Sequence, residues 1–273
     1  MPTAALVELA GRRVVVDCGI GVTRALVAAG VDLRDGLEIV LITHLHSDHL
    51  LELGPLLHTA WTTGTRRPIR VFGPPGLADY WRHFLAAMAC DNRIRVEDEG
   101  RPPLESLVTV TEIDAGEVLR DEGLAIDALR VPHPPLADCF AFRIEGAGRR
   151  VVISGDTAHH PPLARFARGA DVLVHEAMLP AGIERLVART GLGDLLRRHM
   201  HAAHSTAAEA ARIAAAAGAR HLVLAHLVPA DDPEIGEEDW IAEVRPHYDG
   251  PVTVARDGTR IALADAGRPA NGG

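Results

Sequence analysis

The sequence predicts an α/β fold of layered sheets with outer helices, and three observations carry that reading. Short apolar runs rich in β-branched residues recur along the chain at strand length. Helical stretches with start and stop signals alternate with them. Hairpin signals such as Gly146-Ala147-Gly148 occur beside longer crossovers, which fits mixed rather than purely antiparallel sheets.

Taken in order, the apolar runs predict strands over 13–17, 38–43, 69–72, 107–113, 124–131, 139–144, 150–154, 171–175, 221–225, 252–255 and 259–263. A helix is predicted over 77–89, entered through the turn Gly73-Pro74-Pro75-Gly76. The clearest helix follows Thr206, which forms a capping-box pattern with Glu209. Its body is alanine-rich, and Gly218 supplies a left-handed stop. No low-complexity linker or short-period repeat divides the chain, so one domain over 1–266 with a frayed tail at 267–273 is expected.

The bulk composition narrows the function. Apolar residues make up 47% and charged residues 24%, as in an ordinary folded chain. The formal net charge of −9 argues against a surface built to grip polyanions. Cys18, Cys90 and Cys139 are scattered and lack a CxxC spacing, which fits reduced thiols in the cytoplasm. Neither a signal peptide nor a membrane span is expected. The unusual number is histidine, with fifteen residues, and they cluster.

The densest cluster lies in "LITHLHSDHLLELG", where His44, His46, Asp48 and His49 follow a near-continuous apolar strand. A strand of that kind is buried on both faces, and its carboxyl end is where α/β folds place ligands. The placement recurs: His133 ends "ALRVPH", Asp156 follows "VVISG", and His226 follows "HLVLA". Any one of these alone reads as a polar loop cap. Four independent strand ends carrying imidazole or carboxylate read together as a metal site. Zinc-class ions take three or four such donors and keep a position open for water. Seven donors would hold two ions, and two ions could bridge one hydroxide and stabilise charge on a substrate oxygen.

These residues resemble the metallo-β-lactamase fold superfamily, whose HxHxDH pattern His44-Leu45-His46-Ser47-Asp48-His49 matches in full. Within it the chain is similar to the ribonuclease Z-like branch, through "VFGPPG", "SGDT", "LVHEAM", "HST" and "LVLAH" in order. The resemblance implies a four-layer αββα sandwich. It implies a first metal on His44, His46 and His133, a second on Asp48, His49 and His226, and Asp156 bridging. It makes His204 a catalytic histidine that serves the leaving oxygen, with His175 and Glu176 as the pair that orients it, and it leaves a dimer plausible. Read by itself, His204 is also an exposed turn residue ahead of a helix. Asp17, in "VVVDCGIG", reads either as a brace for a ligand histidine or as a turn aspartate. His159, His160, His199 and His201 match no motif and are expected mainly at the surface. His58, His83, His221 and His247 have no assigned role.

The chain departs from the family pattern in three places. The family's opening Gly-rich segment has no counterpart, so either an edge strand is missing or the start site is misassigned. The long arm that tRNA-processing members carry between the third histidine and the bridging aspartate is replaced by one hairpin. The stretch over 178–203 is long. It is either a flap whose Arg185, Arg189, Arg197 and Arg198 meet an anionic substrate, or a solvated basic face, and the second is favoured.

The expected function is therefore a hydrolase with two divalent ions of the zinc class, manganese or iron fitting the same donors. A hydroxide held between both metals and Asp48 attacks, while His204 helps the leaving oxygen depart. Small anionic phosphodiesters or aryl sulfate esters fit the His204 arrangement best. The alternatives are a carboxylic-ester, thioester or lactone hydrolase, a tRNA 3′-processing endoribonuclease, and a non-catalytic metal-binding protein. The missing arm and the net charge weigh against nucleic acid.

Overall fold

The computed structural model describes residues 3–121 and 123–263. The expected tail at 267–273 lies outside the described residues. The chain divides into two compact units, which meet in sequence at Asp114 and Ala115. No low-complexity segment marks that junction. It is a short connection between two strands.

The first unit is built on a five-stranded sheet in the order β1-β2-β3-β4-β5. Its strands are β1 (Ala5–Leu9), β2 (Arg12–Val16), β3 (Ile39–Leu41), β4 (Ile69–Gly73) and β5 (Val108–Glu112). β1 and β2 form an antiparallel hairpin, and the remaining pairs are parallel. The hairpin turns at Ala10 and Gly11, both left-handed (φ 53° and 72°), as a two-residue primed turn requires. The helices are α1 (Val22–Ala28), the one-turn α2 (Ser47–Leu50), α3 (Leu53–Thr62), α4 (Leu77–Ala87) and α5 (Ala89–Glu99). Val15, Val40, Ile42 and Val71 pack with Leu26, Leu53, Leu57, Trp61 and Leu77 from α1, α3 and α4 in one apolar cluster. Ile39, Val40 and Leu41 are all fully buried, as the continuous apolar run of β3 demands.

The second unit carries a seven-stranded sheet in the order β12-β11-β10-β9-β8-β7-β6. Its strands are β6 (Gly116–Asp121), β7 (Leu124–Arg130), β8 (Phe140–Gly146), β9 (Arg149–Ile153), β10 (Val172–Met178), β11 (Leu222–Val228) and β12 (Val252–Val254). β6 to β9 form an antiparallel meander, and β9 to β12 are parallel. Its helices are α6 (Pro162–Phe166), α7 (Pro180–Thr190), α8 (Gly193–Ala203), α9 (Ala207–Ala217) and α10 (Glu237–Val244). In α9 the Thr206 hydroxyl accepts from the Glu209 backbone N–H, the Glu209 carboxylate accepts from the Thr206 N–H, and Gly218 closes the helix left-handed. Its buried alanines let the helix lie close on Leu173, Leu222 and Leu224.

Four expectations about elements need correction. β6 is a strand the sequence does not announce, because Glu117, Arg120 and Asp121 break its apolar pattern. β1 was likewise not expected. Residues 259–263 form no strand: the turn at Asp257-Gly258 is closed by the Thr259 N–H on the Arg256 carbonyl, and Thr259 and Arg260 are exposed. The helix expected over 77–89 breaks at Met88 and resumes as α5, a polar helix with i,i+4 ion pairs from Arg95 to Asp91 and Glu99.

Candidate functional site

In the first unit the donors follow one strand end. The chain leaves β3 through Ile42 and Thr43, passes His44 and His46, and closes into α2, which carries Asp48 and His49. Asp17, at the end of the neighbouring β2, organises this loop. Its carboxylate accepts from the Thr43 N–H (2.8 Å), the Thr43 hydroxyl (2.9 Å) and His49 Nδ1 (2.8 Å). Asp17 reaches these partners from a left-handed backbone (φ 65°), a strained conformation that short polar side chains tolerate best.

The hydrogen bonds fix two tautomers. His49 gives its Nδ1 proton to Asp17, which presents Nε2 as the lone-pair nitrogen. The Thr43 hydroxyl proton is committed to Asp17, so His44 Nδ1, 3.0 Å from that oxygen, donates to it and also presents Nε2. His44 Nε2 lies 3.1 Å from His46 Nδ1. Two nitrogens on one tetrahedral ion with bonds of about 2.05 Å sit about 3.3 Å apart. The donor chemistry and spacing of this loop therefore fit a zinc-class cation.

In the second unit the donors come from separate strands. His133 follows β7, gives its Nδ1 proton to the Ala203 carbonyl (2.8 Å) at the end of α8, and so presents Nε2. Asp156 follows β9. Its Oδ2 is 3.8 Å from His133 Nε2, and its Oδ1 is 3.5 Å from His226 Nδ1. These separations exceed a hydrogen bond and match donors ranged around shared cations. The two carboxylate oxygens face different imidazoles, the geometry a bridging ligand needs.

His226 owes its direction to a β-bulge. β10 and β11 pair residue for residue up to Glu176 and Ala225, then resume at Ala177 and Leu227, so the register shifts at His226. Its φ is 45°, left-handed for an imidazole residue. Bulges of this kind re-aim one side chain at the cost of local strain, and they are enriched beside functional sites.

His204 is buried, and its Nδ1 lies 3.0 and 3.1 Å from the two Glu176 oxygens. Glu176 is itself held: Oε1 accepts from the Thr157 N–H (2.6 Å), and its own N–H donates to Ser154 Oγ (3.0 Å). His133, Asp156 and His204 place ligand atoms within 4.8 Å of one another, as do Glu176, His204 and His226. The exposed-turn reading of His204 does not hold.

The expected orienting pair is divided. Consecutive strand residues face opposite ways, and only Glu176 turns to His204. His175 donates Nδ1–H to the Glu176 carbonyl (2.7 Å). Burial pushes its pKa down to about 4, which keeps it neutral at pH 7. Of the expected pair, Glu176 is the residue hydrogen-bonded to the His204 ring.

Among the histidines without a motif, His159, His201, His83 and His247 are exposed. His58 contacts Asp91 (3.1 Å), and His221 bonds Thr253 (2.9 Å). Sequence reasoning missed the braces Thr43, Ser154 and Thr157, whose only signal is their place beside strand-end donors. His199, expected mainly at the surface, is half-buried, with its ring centroid 6.2 Å from that of His204. The stretch over 178–203 forms α7 and α8. Arg185 pairs with Asp232, Arg189 with Asp231, and Arg197 with Glu184, all at the surface. α7 sits tightly on the chain after β11: a Cβ on Gly182 would lie 2.5 Å from Pro229. Among the described residues, no helix is long and apolar enough to cross a membrane.

A family model described as a beta-lactamase superfamily domain matches residues 12–227. The chain belongs to the metallo-β-lactamase superfamily. Its curated relatives place it in the ribonuclease Z branch. It is 34% identical over 261 residues to a protein named ribonuclease Z from Mycobacterium bovis, covering 94% of this chain and 90% of the relative. It is 36% identical over 266 residues to the ribonuclease Z of Mycobacterium marinum, covering 94% and 91%. Two solved structures share the metallo-β-lactamase fold. The Bacillus subtilis protein YhfI matches with a TM-score of 0.67 at 23% identity, covering 94% of this chain and 90% of that one. The short form of human tRNase Z matches with a TM-score of 0.67 at 22% identity, covering 97% and 93%. The metallo-β-lactamase assignment makes the protein a metal-dependent hydrolase. The named relatives favour the ribonuclease alternative over the small phosphodiester or sulfate ester that the sequence put first.

Proposed function

We propose that this hydrolase is a phosphodiesterase of the ribonuclease Z type that acts at the 3′ end of tRNA precursors. The observation that carries the reading is the buried Glu176–His204 pair beside the donor set, a proton donor placed for an ester whose leaving oxygen needs help. The near-full-length relatives support the RNA substrate. Absence of a long arm does not separate this chain from them, since it covers about nine-tenths of their length.

In this reading His44, His46 and His133 would hold one divalent cation, Asp48, His49 and His226 would hold a second, and Asp156 would serve both. When bound, such a pair supplies Lewis acidity and lowers the pKa of water. The chain's own residues do the rest. Asp17, Thr43 and the Ala203 carbonyl fix His49, His44 and His133 in the tautomer that presents Nε2. Asp48, in the first turn of α2, accepts a proton from the attacking water. Glu176 stabilises the doubly protonated form of His204 through Nδ1, so that Nε2–H can pass to the leaving oxygen. The Thr157 N–H keeps the Glu176 carboxylate in place while this happens, and Ser154 Oγ holds the Glu176 backbone N–H.

A second reading, small phosphodiesters or aryl sulfates, draws on the net charge of −9 and on the three flap arginines already paired with carboxylates. One panel separates the readings: a 3′-extended tRNA precursor, bis(4-nitrophenyl) phosphate, an aryl sulfate, a lactone and a thioester. The ribonuclease reading expects specific, salt-sensitive cleavage of the precursor, with kcat/KM well above that for the small diester. The reverse ranking favours the second reading. His204→Ala should cost about 10²- to 10⁴-fold on the preferred substrate. Full activity of that variant on a carboxylic ester would support a carboxyl-ester hydrolase instead.

A further inference from the structure

In the second unit the carboxyl ends of the strands carry the donors, and the amino ends of β10 and β11 carry a concentration of guanidinium groups. Asp171, just before β10, is their hub. Its Oδ1 accepts from Arg149 (3.0 Å) and from Arg220 (3.2 Å), and its Oδ2 accepts from the Arg150 N–H (2.8 Å). Arg150 also pairs with Glu145 (2.6 Å), and its Nη1 donates to the Arg168 carbonyl. Arg165 and Arg168, exposed in and just after the last turn of α6, form no ion pair among the described residues. The Gly169 N–H on the Ala217 carbonyl and the Arg220 N–H on the Ala170 carbonyl set Arg168 beside Arg220 in the fold. Five guanidinium groups thus meet two carboxylates. The surrounding charges leave that surplus standing. Arg143 is matched by Asp127 (2.9 Å), and the turn that Tyr248 ties to the Ala219 carbonyl carries one charge of each sign, Arg245 and Asp249.

We infer that this surface binds the phosphate backbone of the RNA substrate, in its double-helical part. The inference deepens the ribonuclease reading above and rests on it. The chain has 37 acidic and 28 basic residues, so a local surplus of cations runs against its composition. Arg149 and Arg220 share one carboxylate oxygen, which balances one of their two charges. Arg149 is nearly buried and Arg220 is 71% exposed, so the excess reaches solvent at Arg220, beside Arg168. A surface of this kind meets a polyanion through its phosphates, and duplex RNA is recognised by shape and backbone because its deep groove hides the bases. β10 has seven residues at about 3.3 Å each, which puts the patch about 20 Å from the donors at the other end of the sheet. Contact there reaches the body of a tRNA precursor and not the ester being cut. A small diester in the site cannot touch it.

The test follows kcat/KM for a 3′-extended tRNA precursor between about 50 and 200 mM salt. Arg168→Ala combined with Arg220→Ala should lower it about tenfold at the lowest salt and flatten its log–log salt dependence by about two. Turnover of bis(4-nitrophenyl) phosphate by the same variant should stay within about twofold of wild type. Arg168→Lys combined with Arg220→Lys keeps both charges and should keep the slope. Arg34→Ala combined with Arg67→Ala removes equal charge from an exposed place in the first unit and should leave the slope unmoved. A loss on the small diester as large as on the precursor, a Lys pair as impaired as the Ala pair, or equal flattening by the Arg34 and Arg67 pair would each overturn the inference. If the wild-type protein leaves the precursor uncut, the ribonuclease reading itself fails. Precursor cleavage with an unmoved slope in the Arg168 and Arg220 Ala pair sinks the patch alone.

Discussion

The two units gather their candidate metal donors in opposite ways. The first places four within six consecutive positions, on one strand end and the single turn that follows it. The second takes one each from the ends of β7 and β9 and from the bulge in β11. The first set is braced by side chains, Asp17 and Thr43, while the second leans on backbone, through the Ala203 carbonyl and the strained φ of His226. A local cluster needs little beyond a strand and a turn to form. A dispersed one exists only when the whole sheet is in register. The second set should therefore be the less forgiving of the two.

The largest expected effect tests that contrast directly. Asp156 presents one oxygen to His133 and the other to His226, so Asp156→Ala should remove binding of both cations and reduce kcat by about 10³-fold or more. Elemental analysis alongside turnover checks this. A variant that keeps two metal equivalents and full turnover would show that Asp156 is not shared. In the first unit, Asp17→Asn keeps the shape but weakens the acceptor for His49 and Thr43. The expected cost is about 10- to 100-fold in metal affinity, measured by competition with a chelator. If Asp17→Asn matched Asp156→Ala in severity, the side-chain brace would be as unforgiving as the dispersed set, and the contrast would collapse.

The same contrast explains what could be read before any coordinates. His44 to His49 are legible because the whole pattern lies within one loop. His133, Asp156 and His226 are legible as strand ends because each follows an apolar run. The bulge that turns His226 is not, since it depends on a register between β10 and β11 that no local pattern encodes. Nor could adjacency tell His175 from Glu176: only the sheet decides which face meets His204. β6 hides behind its charges, and the pattern over 259–263 resembles a strand that finds no neighbour.

His175 allows a test of how the two faces of β10 divide their work. Its pKa is about 4 in the fold and about 6.5 when unfolded. Between those values the unfolded chain binds the extra proton, so stability rises with pH across that window. The contribution is fully present above pH about 6.5 and is lost as pH falls to about 4, amounting to about 3 kcal/mol. His175→Asn keeps a donor near the Nδ1 position but cannot titrate. Urea unfolding should show a flatter dependence between pH 4 and 6.5 in the variant, with His204-dependent activity at pH 7.5 reduced less than in Glu176→Gln. An unchanged pH slope would mean that His175 protonates in the fold without cost.

The smallest expected effect concerns whether the second unit's donors depend on the helix beside them. Thr206 caps α9 through the reciprocal bonds with Glu209, only two residues after His204. Thr206→Ala removes the side-chain acceptor for the Glu209 N–H and should cost about 1 kcal/mol, read from the urea midpoint. The His204 ring, however, is held by Glu176 and by its histidine neighbours, and none of those contacts runs through the Thr206 hydroxyl. The Ser205 hydroxyl adds an anchor of its own on the Thr157 carbonyl (2.7 Å). Activity at saturating metal should therefore stay within about twofold of wild type despite the lost stability. A drop in kcat far beyond that would mean the helix cap, and not the strand ends alone, sets the proton donor.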